Sequence, residues 1–298
     1  MKNPLISVLM TAFNRELYIA EAIESVLAST FQDFELIIVD DCSVDSTLAI
    51  AKKYVLQNSK IKLYVNEVNL GQFKNRNKAA SLASGTFIKF FDSDDVMHND
   101  LLEITVQAML AYPTALVGIE CIWSKIPTEN LPVLFSSREA YINHFFKGND
   151  FLHFGPSSSI MKKSLFDECK GYDEGVGILA DTLLMLRAAT LSPVVGYQPN
   201  LFFWRRHQGQ VTVEQQNYYQ MFCQRHQINS IILASNTPLS KEEVDIIKQN
   251  YKNIFLRNLF KYIWSIKNPR KLYTMFKIMD IKFVDLFKAL HRNKTVGY

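Results

Sequence analysis

The stretch ISVLMTAFNRELYIAEAIESVLASTFQDFELIIVD, residues 6–40, contains the pattern from which the fold can be predicted. It opens with one apolar run, 6–13, and closes with another, 35–40. Between them, apolar residues recur at helical spacing at positions 17, 19, 22, 23, 26 and 27. Two short apolar runs joined by an amphipathic helix are typical of a βαβ unit whose parallel strands are buried on both faces.

The same alternation continues through the first ~125 residues, which predicts an open α/β sheet with helices on both faces. The predicted helices are 46–57, 72–83 and 99–111, and the predicted strands that follow them are 61–65, 86–91 and 115–123. Residues 124–200 lack this regularity, apart from a helical pattern at 179–189, and we expect them to complete the same domain.

Three groups of polar residues follow predicted strands. They are residues 11–15, the pair Asp40 and Asp41, and residues 92–95. Open α/β sheets bind ligands beyond the carboxyl ends of their strands. We therefore expect the three groups to line one crevice.

The last of these groups lies in FIKFFDSDDVM, residues 87–97, where an apolar strand leads directly into Asp92, Asp94 and Asp95. Clustered carboxylates repel one another, and hard oxygen ligands suit Mg²⁺ or Mn²⁺, particularly when a diphosphate shares the ion. The alternative is a capped helix start, with Asp95 or Asn99 as N-cap. The position at the end of a strand favours the metal site over the helix cap. The sequence has neither a GxGxxG dinucleotide fingerprint nor a P-loop, so a nucleotide would have to be held in another way.

The composition indicates a globular protein without disulfides. Of its 298 residues, 48% are hydrophobic, which suffices for a packed core. The four cysteines are widely scattered without zinc-like spacing, so we expect structural thiols in a reducing compartment. We expect neither a signal peptide nor a transmembrane helix, and a cytoplasmic location.

The C-terminal part differs in charge. Residues 251–298 contain eleven Lys and Arg against two Asp, a net charge of +9, whereas the whole chain carries +4. A capping box at Ser240 predicts a long helix, and Asn268-Pro269 separates it from a second, basic amphipathic helix. The apolar arc of this second helix, which includes Phe276 and Phe283, would lie on an anionic membrane, on the first domain, or on a second subunit in a homodimer. No nucleic-acid motif accompanies the charge, so we expect no nucleic-acid partner.

Several motifs, in order, make the chain resemble the family 2 glycosyltransferases, which are inverting, nucleotide-sugar-dependent enzymes of the GT-A fold. The resemblance covers residues 5 to about 213, so a catalytic domain over 1–213 and a helical extension over 214–298 are predicted. The motifs are residues 6–47 quoted in part above, NLGQFKNRNKAASLASGTFIKFFDSDD (69–95), GPSSSIMKKSLFDECKGYDE (155–174), ADTLLMLRAA (180–189) and WRRHQGQVT (204–212).

The resemblance implies a nucleotide site in the first half of the chain. Thr11 and Phe13 would line the base pocket, and the Phe13 ring would stack on the base. Asp41 would accept a hydrogen bond from the base imide, which favours uracil or thymine. Arg76 would approach the phosphates, and Asp92 the ribose or the metal.

The resemblance also implies the metal site and the base. Asp94 would coordinate Mn²⁺ or Mg²⁺, with His207 closing over the metal or the diphosphate. Asp95 and Arg206 would contact the residues that bind the metal rather than the metal itself. Arg205 and Arg206 would also supply positive charge for the leaving group. Asp181 would be the general base that deprotonates the acceptor, although Ala180 stands where the family commonly has Glu.

The implied function is metal-assisted transfer of a sugar from a nucleoside-diphosphate donor, expected to be a UDP-sugar, to a hydroxyl of a saccharide or lipid-linked acceptor. The expected setting is polysaccharide synthesis at the inner face of the cell membrane. Two alternatives remain open. Asp92-x-Asp94 also resembles the nucleophile motif of haloacid-dehalogenase-like phosphohydrolases, although that motif ends the first strand of its domain. A non-catalytic nucleotide-sugar-binding subunit is favoured if Asp181 lies far from the crevice.

Overall fold

The computed structural model describes residues 3–121, 127–147, 151–153, 155–207, 218–234, 237–258 and 268–282, and the single positions 266 and 285. The chain divides into two compact units, residues 1–207 and 208–298. The boundary predicted at 213 falls in 208–217, outside the described residues.

The first unit begins with the predicted alternation of strands and helices. Its first four strands and three helices are β1 (Ile6–Ala12), α1 (Ile19–Leu27), β2 (Phe34–Asp40), α2 (Thr47–Gln57), β3 (Ile61–Val65), α3 (Gln72–Leu82) and β4 (Phe87–Phe90). The two strands with fully buried apolar runs, β1 and β2, lie side by side in parallel, and β4 pairs with β1 on the other side. Their carboxyl ends therefore share one edge of the sheet.

The rest of the unit adds further elements, several of which the sequence pattern did not reveal. They are β5 (Val96–Met97), α4 (Leu101–Ala111), β6 (Val117–Glu120), β7 (Val133–Phe135), α5 (Ser137–Phe145), β8 (Ser159–Lys162), α6 (Lys163–Glu168), α7 (Ala180–Leu191), β9 (Val194–Tyr197) and β10 (Phe202–Phe203). Three 3₁₀ turns occur at Thr128–Asn130, Pro156–Ser158 and Glu174–Leu179.

Eight of these strands form one mixed, mostly parallel sheet in the order β3-β2-β1-β4-β8-β6-β9-β7, and β5 pairs with β10 separately. Strand β8 runs antiparallel between β4 and β6, and β7 runs antiparallel at the edge. Because β8 is reversed, it starts at the edge where β1, β2 and β4 end. The 3₁₀ turn Pro156–Ser158 immediately before it therefore lies beside residues 92–95.

The second unit contains α8 (Tyr218–Ala234), α9 (Lys241–Arg257) and α10 (Pro269–Ile278). The capping box predicted at Ser240 and Glu243 is present, and Asn268 caps α10. Phe276 packs edge-on against Phe255 with ring centroids 5.7 Å apart, inside a small apolar cluster. This part of the predicted arc thus packs within its own unit, while Phe283 lies outside the described residues.

None of the helices, as far as the structure describes them, combines the length and the apolar character that a membrane span requires.

Gly85 precedes β4 and packs directly on the backbone of β1. A β-carbon at this position would lie 2.6 Å from the Ser7 nitrogen, closer than real contacts allow. We expect Gly85→Ala to lower the free energy of unfolding by about 2 kcal/mol or more, because backbone must shift to relieve the overlap. Urea unfolding measures this.

Gly155→Ala is the matched control for that experiment. Apart from its two chain neighbours, no described residue has a heavy atom within 4 Å of a β-carbon at Gly155, and the φ of −64° at this position suits alanine. Its effect should stay within about 1 kcal/mol. Equal losses in the two variants would contradict the close packing at Gly85.

Candidate active site

Residues 92–95 form a tight loop at the carboxyl edge of the sheet. The Ser93 hydroxyl donates to the Thr11 carbonyl at the end of β1, at 2.8 Å. The Asp92 N–H donates to the Ser157 hydroxyl at 3.1 Å. The loop is therefore attached on one side to β1 and on the other to the 3₁₀ turn before β8. The loop is not a helix cap, because α4 begins only at Leu101, with Asp100 rather than Asp95 or Asn99 as N-cap.

Arg76 connects the acidic loop to Asp181. Its Nη2 donates to Asp92 Oδ1 at 2.8 Å, and its Nη1 lies 3.5 Å from Asp181 Oδ1. Arg76 is buried on α3, and Asp181 lies in the first turn of α7, so the two carboxylates come from distant parts of the chain. One guanidinium thus joins a carboxylate predicted to bind the donor and a carboxylate predicted to be the base.

Two aromatic rings hold the Arg76 guanidinium in place. Its central carbon lies 5.7 Å from the centre of the Tyr172 ring and 6.0 Å from that of Phe73. Such cation–π contacts are stronger at a desolvated guanidinium. Sequence analysis did not assign either ring to the site, although both lie within quoted motifs, in FKNRNKAA and KGYDE.

Asp181 has the electrostatic character of a base. Burial raises the pKa of its carboxyl group to about 6, the Asp92 charge contributes in the same direction, and Arg76 opposes the increase. A carboxylate with such a pKa is ionised at neutral pH yet binds a proton more readily than an exposed aspartate. Because Asp181 shares Arg76 with Asp92, it lies beside the acidic loop. A position far from the crevice, which would have favoured a non-catalytic subunit, is therefore not observed.

Asp94 has two partners in the crevice. Its Oδ2 accepts a hydrogen bond from Arg15 Nε at 2.9 Å and lies 3.0 Å from His207 Nε2. The His207 ring also packs on Tyr18, with centroids 4.5 Å apart. Arg15 belongs to the polar group predicted after β1, but no sequence pattern indicated that it pairs with Asp94.

Asp95 lies behind the other two acids and is almost completely buried. It accepts a hydrogen bond from the Arg205 N–H at 3.1 Å and lies 3.5 Å from the Ser157 hydroxyl. Burial, followed by the charge of Asp92, raises the pKa of Asp95 to about 8. Asp95 thus links the acidic loop to residues 204–207 rather than facing a ligand directly.

The two neighbouring arginines behave differently. Arg205 Nε donates to the Asp94 carbonyl at 3.0 Å, and its guanidinium pairs with Glu21 and lies over the Tyr18 ring. Arg206, predicted to lie behind the metal site, is exposed, and its guanidinium lies 5.0 Å from the centre of the Trp204 ring. Side chains alternate along extended backbone, so only one of the two arginines turns toward the acids.

Asp41 is buried and organises the loop before α3. Its Oδ1 accepts hydrogen bonds from Asn66 Nδ2 at 2.6 Å and from the Leu70 N–H at 2.8 Å, while Oδ2 accepts from the Gly71 N–H at 2.9 Å. A carboxylate has about four acceptor positions, so about one position on Oδ2 remains for a base imide. Nearby, the Phe13 ring is 42% exposed, as a stacking surface requires.

The donor set around Asp94 suits a divalent cation in its chemistry. Carboxylate oxygens are the ligands that Mg²⁺ and Mn²⁺ prefer, and imidazole nitrogen accompanies them in transition-metal sites. Within the described residues, however, no group of three or more His, Cys, Asp or Glu is arranged to hold a metal ion. Asp94 and His207 would therefore bind a cation together with oxygens of a bound diphosphate.

A comparison with family models assigns the part of the chain that contains the acidic loop. The model "Glycosyl transferase family 2" matches residues 7–170, more than half of the chain. The chain belongs to glycosyl transferase family 2. The matched segment contains Thr11, Asp41, Arg76 and the acidic loop of this family 2 domain, but it ends before Asp181, Arg205 and His207. The phosphohydrolase interpretation of Asp92-x-Asp94 is thereby set aside.

Among curated proteins, the family 2 domain is similar to the UDP-Glc:alpha-D-GlcNAc-diphosphoundecaprenol beta-1,3-glucosyltransferase WfgD of Escherichia coli. The two are 40% identical over 110 residues, which is 37% of this chain and 43% of that protein. The chain spans between 42% and 60% of the length of the first three curated relatives that it matches.

Two solved structures have the same fold, and they support the GT-A assignment. S. aureus TarS 1-349 in complex with UDP-GlcNAc superposes with a TM-score of 0.70 at 19% identity, covering 95% of this chain and 81% of TarS 1-349. The mannosyltransferase PcManGT from Pyrobaculum calidifontis, in complex with GDP-Man and Mn²⁺, superposes with a TM-score of 0.57 at 14% identity, covering 99% and 80%. The protein therefore has a GT-A fold with C-terminal helices.

Replacing Arg76 with Met leaves Asp92 and Asp181 close together without their shared cation. We expect Arg76→Met to lower the free energy of unfolding by about 3 kcal/mol at pH 8, as when one partner of a buried pair is removed. The loss in free energy of unfolding caused by Arg76→Met should become smaller as the pH falls from 8 to 5. Asp181 in the folded protein has a pKa above its ordinary 3.8, so protonation below that pKa removes its unpaired charge and stabilises the folded state.

Urea unfolding at several pH values measures this effect. Arg187→Met is the control, because Arg187 pairs with the half-exposed Asp173 at 3.2 Å and should contribute less than about 1 kcal/mol. An Arg76→Met deficit that does not change with pH would contradict the proposed coupling to Asp181.

Proposed function

We propose that the protein is an inverting glycosyltransferase that moves a sugar from a nucleoside diphosphate to an acceptor hydroxyl. One observation carries the proposal: Arg76 contacts both Asp92, at the donor end of the crevice, and Asp181, a carboxylate with a raised pKa. A leaving-group site and a base close to each other are what a single displacement requires.

In this reaction, Asp181 accepts the proton of the acceptor hydroxyl. The acceptor oxygen forms a bond to the anomeric carbon from the face opposite the diphosphate, while the bond between that carbon and the diphosphate oxygen breaks. The electron pair leaves with the diphosphate, so the anomeric configuration inverts. The fixed guanidinium of Arg76 beside Asp181 keeps the base ionised at neutral pH.

Positive side chains stabilise the charge that develops on the departing diphosphate. Arg15 and Arg76 border the acidic loop, each in an ion pair at 2.8–2.9 Å. Because these guanidinium groups are held in place before the reaction, little reorganisation is needed when the charge appears.

A divalent cation, Mn²⁺ or Mg²⁺, fits this site as a partner of Asp94 and His207. When bound, such an ion supplies Lewis-acid stabilisation of diphosphate oxygens. Asp94 would hold such an ion in place of its hydrogen bond with Arg15, and Arg15 would then be available to contact the phosphates. PcManGT, a structural neighbour, was crystallised with Mn²⁺, which supports the choice of ion.

The donor that we propose is a UDP-sugar. The support is the exposed Phe13 ring and the remaining acceptor position of Asp41, together with TarS, which binds UDP-GlcNAc in its crystal structure. PcManGT binds GDP-Man in the same fold, so the base is decided by side chains and not by the fold.

The acceptor that we propose is a sugar on a lipid diphosphate, of the class in the name of the Escherichia coli relative. A lipid-linked acceptor would bring the protein to the cytoplasmic membrane surface in polysaccharide synthesis. The basic C-terminal helices are suited to a peripheral contact there, without a membrane span.

Asp181→Asn tests the base. We expect the variant to bind UDP with unchanged affinity in calorimetry, because the donor side of the crevice is intact, and to lose transfer by a factor of about 10² or more, because no group accepts the proton. The assay measures UDP release from a UDP-sugar with a diphosphate-linked GlcNAc acceptor. In the wild type, activity should rise with pH through about 6 as Asp181 ionises.

Asp167→Asn is the matched control, since the half-exposed Asp167 carboxylate pairs with Lys163 on α6, at 2.8 Å, and belongs to none of the contacts of the crevice described above. It should transfer sugar at the wild-type rate. Near-normal turnover in Asp181→Asn would rule out its role as the base.

Asp94→Asn tests the cation. The amide keeps the size of the side chain but lacks the charge that a divalent ion requires, so Mn²⁺ should no longer increase the affinity for UDP. In the wild type, the same comparison with and without Mn²⁺ should show a clear gain in affinity. An equal gain in the two proteins would show that Asp94 does not hold the ion.

A further inference from the structure

Lys89 lies in the middle of β4 and is fully buried. A lysine is almost never fully buried unless its ammonium group has partners. It is three residues from Asp92, yet it takes no part in the reaction described above. Its burial therefore needs a separate explanation.

The partners of Lys89 are backbone carbonyls of the turn before β8. Lys89 Nζ donates to the Ser157 carbonyl at 2.8 Å and to the Ser159 carbonyl at 3.2 Å. The carbonyl between them, that of Ser158, accepts from the hydroxyl of the buried Tyr197 at 2.8 Å. Side chains from two other strands thus hold three successive carbonyls.

The opposite side of this turn supports the acidic loop. The Ser157 hydroxyl accepts the Asp92 N–H at 3.1 Å and lies 3.5 Å from Asp95 Oδ2. The position of Ser157 therefore fixes the direction in which Asp92 leaves β4.

Glu120, at the end of β6, balances the charge of Lys89. It is almost completely buried, and its Oε1 has no hydrogen-bond partner within the described chain. Burial lowers the pKa of Lys89 and raises the pKa of Glu120, and the attraction between the two charges opposes both shifts. Replacing both residues with neutral ones removes the charges without leaving one of them unpaired.

We propose that Lys89 is a positioning residue that sets the geometry of the donor site: its ammonium group holds the turn 156–158, and Ser157 in turn holds Asp92 and Asp95. This inference rests on the proposed function, since it assigns the consequence to sugar transfer. It also predicts a change in the contact between Ser157 and Asp92, which can be measured without an activity assay. A lysine that served only to fill the core would affect stability alone.

The test compares Lys89→Met with the double variant Lys89→Met/Glu120→Gln. The single variant leaves Glu120 buried without a cation, so its melting temperature should fall. The double variant is neutral, and its melting temperature should recover toward that of the wild type. In the double variant no ammonium group holds the turn 156–158. Its kcat/KM for the donor should therefore stay about 10-fold or more below that of the wild type, while KM for the acceptor is unchanged.

Ser157→Ala provides a second measurement that does not depend on burying a new side chain. It should reproduce the loss in donor kcat/KM at a wild-type melting temperature. Lys62→Met is the control for a lysine-to-methionine change, since Lys62 pairs with Glu35 at the opposite edge of the sheet. It should have wild-type kinetics.

Wild-type donor kcat/KM in Ser157→Ala, or full recovery of kcat together with melting temperature in the double variant, would overturn the proposal. A crystal structure of the double variant provides the readout that is independent of activity. We expect the contact between the Ser157 hydroxyl and the Asp92 N–H to be lost, and its retention would also overturn the proposal. If the wild type transfers no sugar while this contact is lost, the proposed function fails and the positioning role of Lys89 stands.

Discussion

The arrangement of the site depends on one guanidinium group shared by two carboxylates. Asp92 and Asp181 come from different parts of the chain and would repel each other, and Arg76 between them makes their proximity favourable. Burial makes this dependence stronger, because few water molecules are available to screen the charges. The rings of Phe73 and Tyr172 restrict the guanidinium to one position. The spacing between Asp92 and Asp181 is thus set by a salt-bridge network and not by the sheet alone.

Sequence reasoning was successful where local pattern determines structure. Strands β1 to β4 and the helices between them follow from the apolar runs, and the polar residues at the strand ends do converge. It missed β7, β8 and β9, because strands of three or four residues are too short to show a periodicity of their own. It also treated 154–166 as irregular, although this stretch contains the reversed strand and the turn that supports Asp92.

Side-chain partners were harder to predict than backbone. The motifs indicated which residues belong to the crevice, but not that Arg15 pairs with Asp94 or that Asp41 already holds three internal donors. These contacts join residues 25 to 79 positions apart, and no local rule encodes them. The predicted roles of Thr11 and Phe13 depend on a ligand and remain predictions. The C-terminal arc illustrates a further limit, since amphipathicity gave an apolar face but not its partner, and Phe276 packs within its own unit.

The reversed direction of β8 has an evolutionary implication. The first four strands come from consecutive βαβ units and end at the rim of the crevice, whereas β7 and β8 run in the opposite direction and start at that rim. The 40% identity with the Escherichia coli relative extends over 110 residues. Insertions or substitutions between β6 and β8 can therefore change the loops at this rim while the first four strands keep their framework. Selection can in this way act on the two parts of the rim separately.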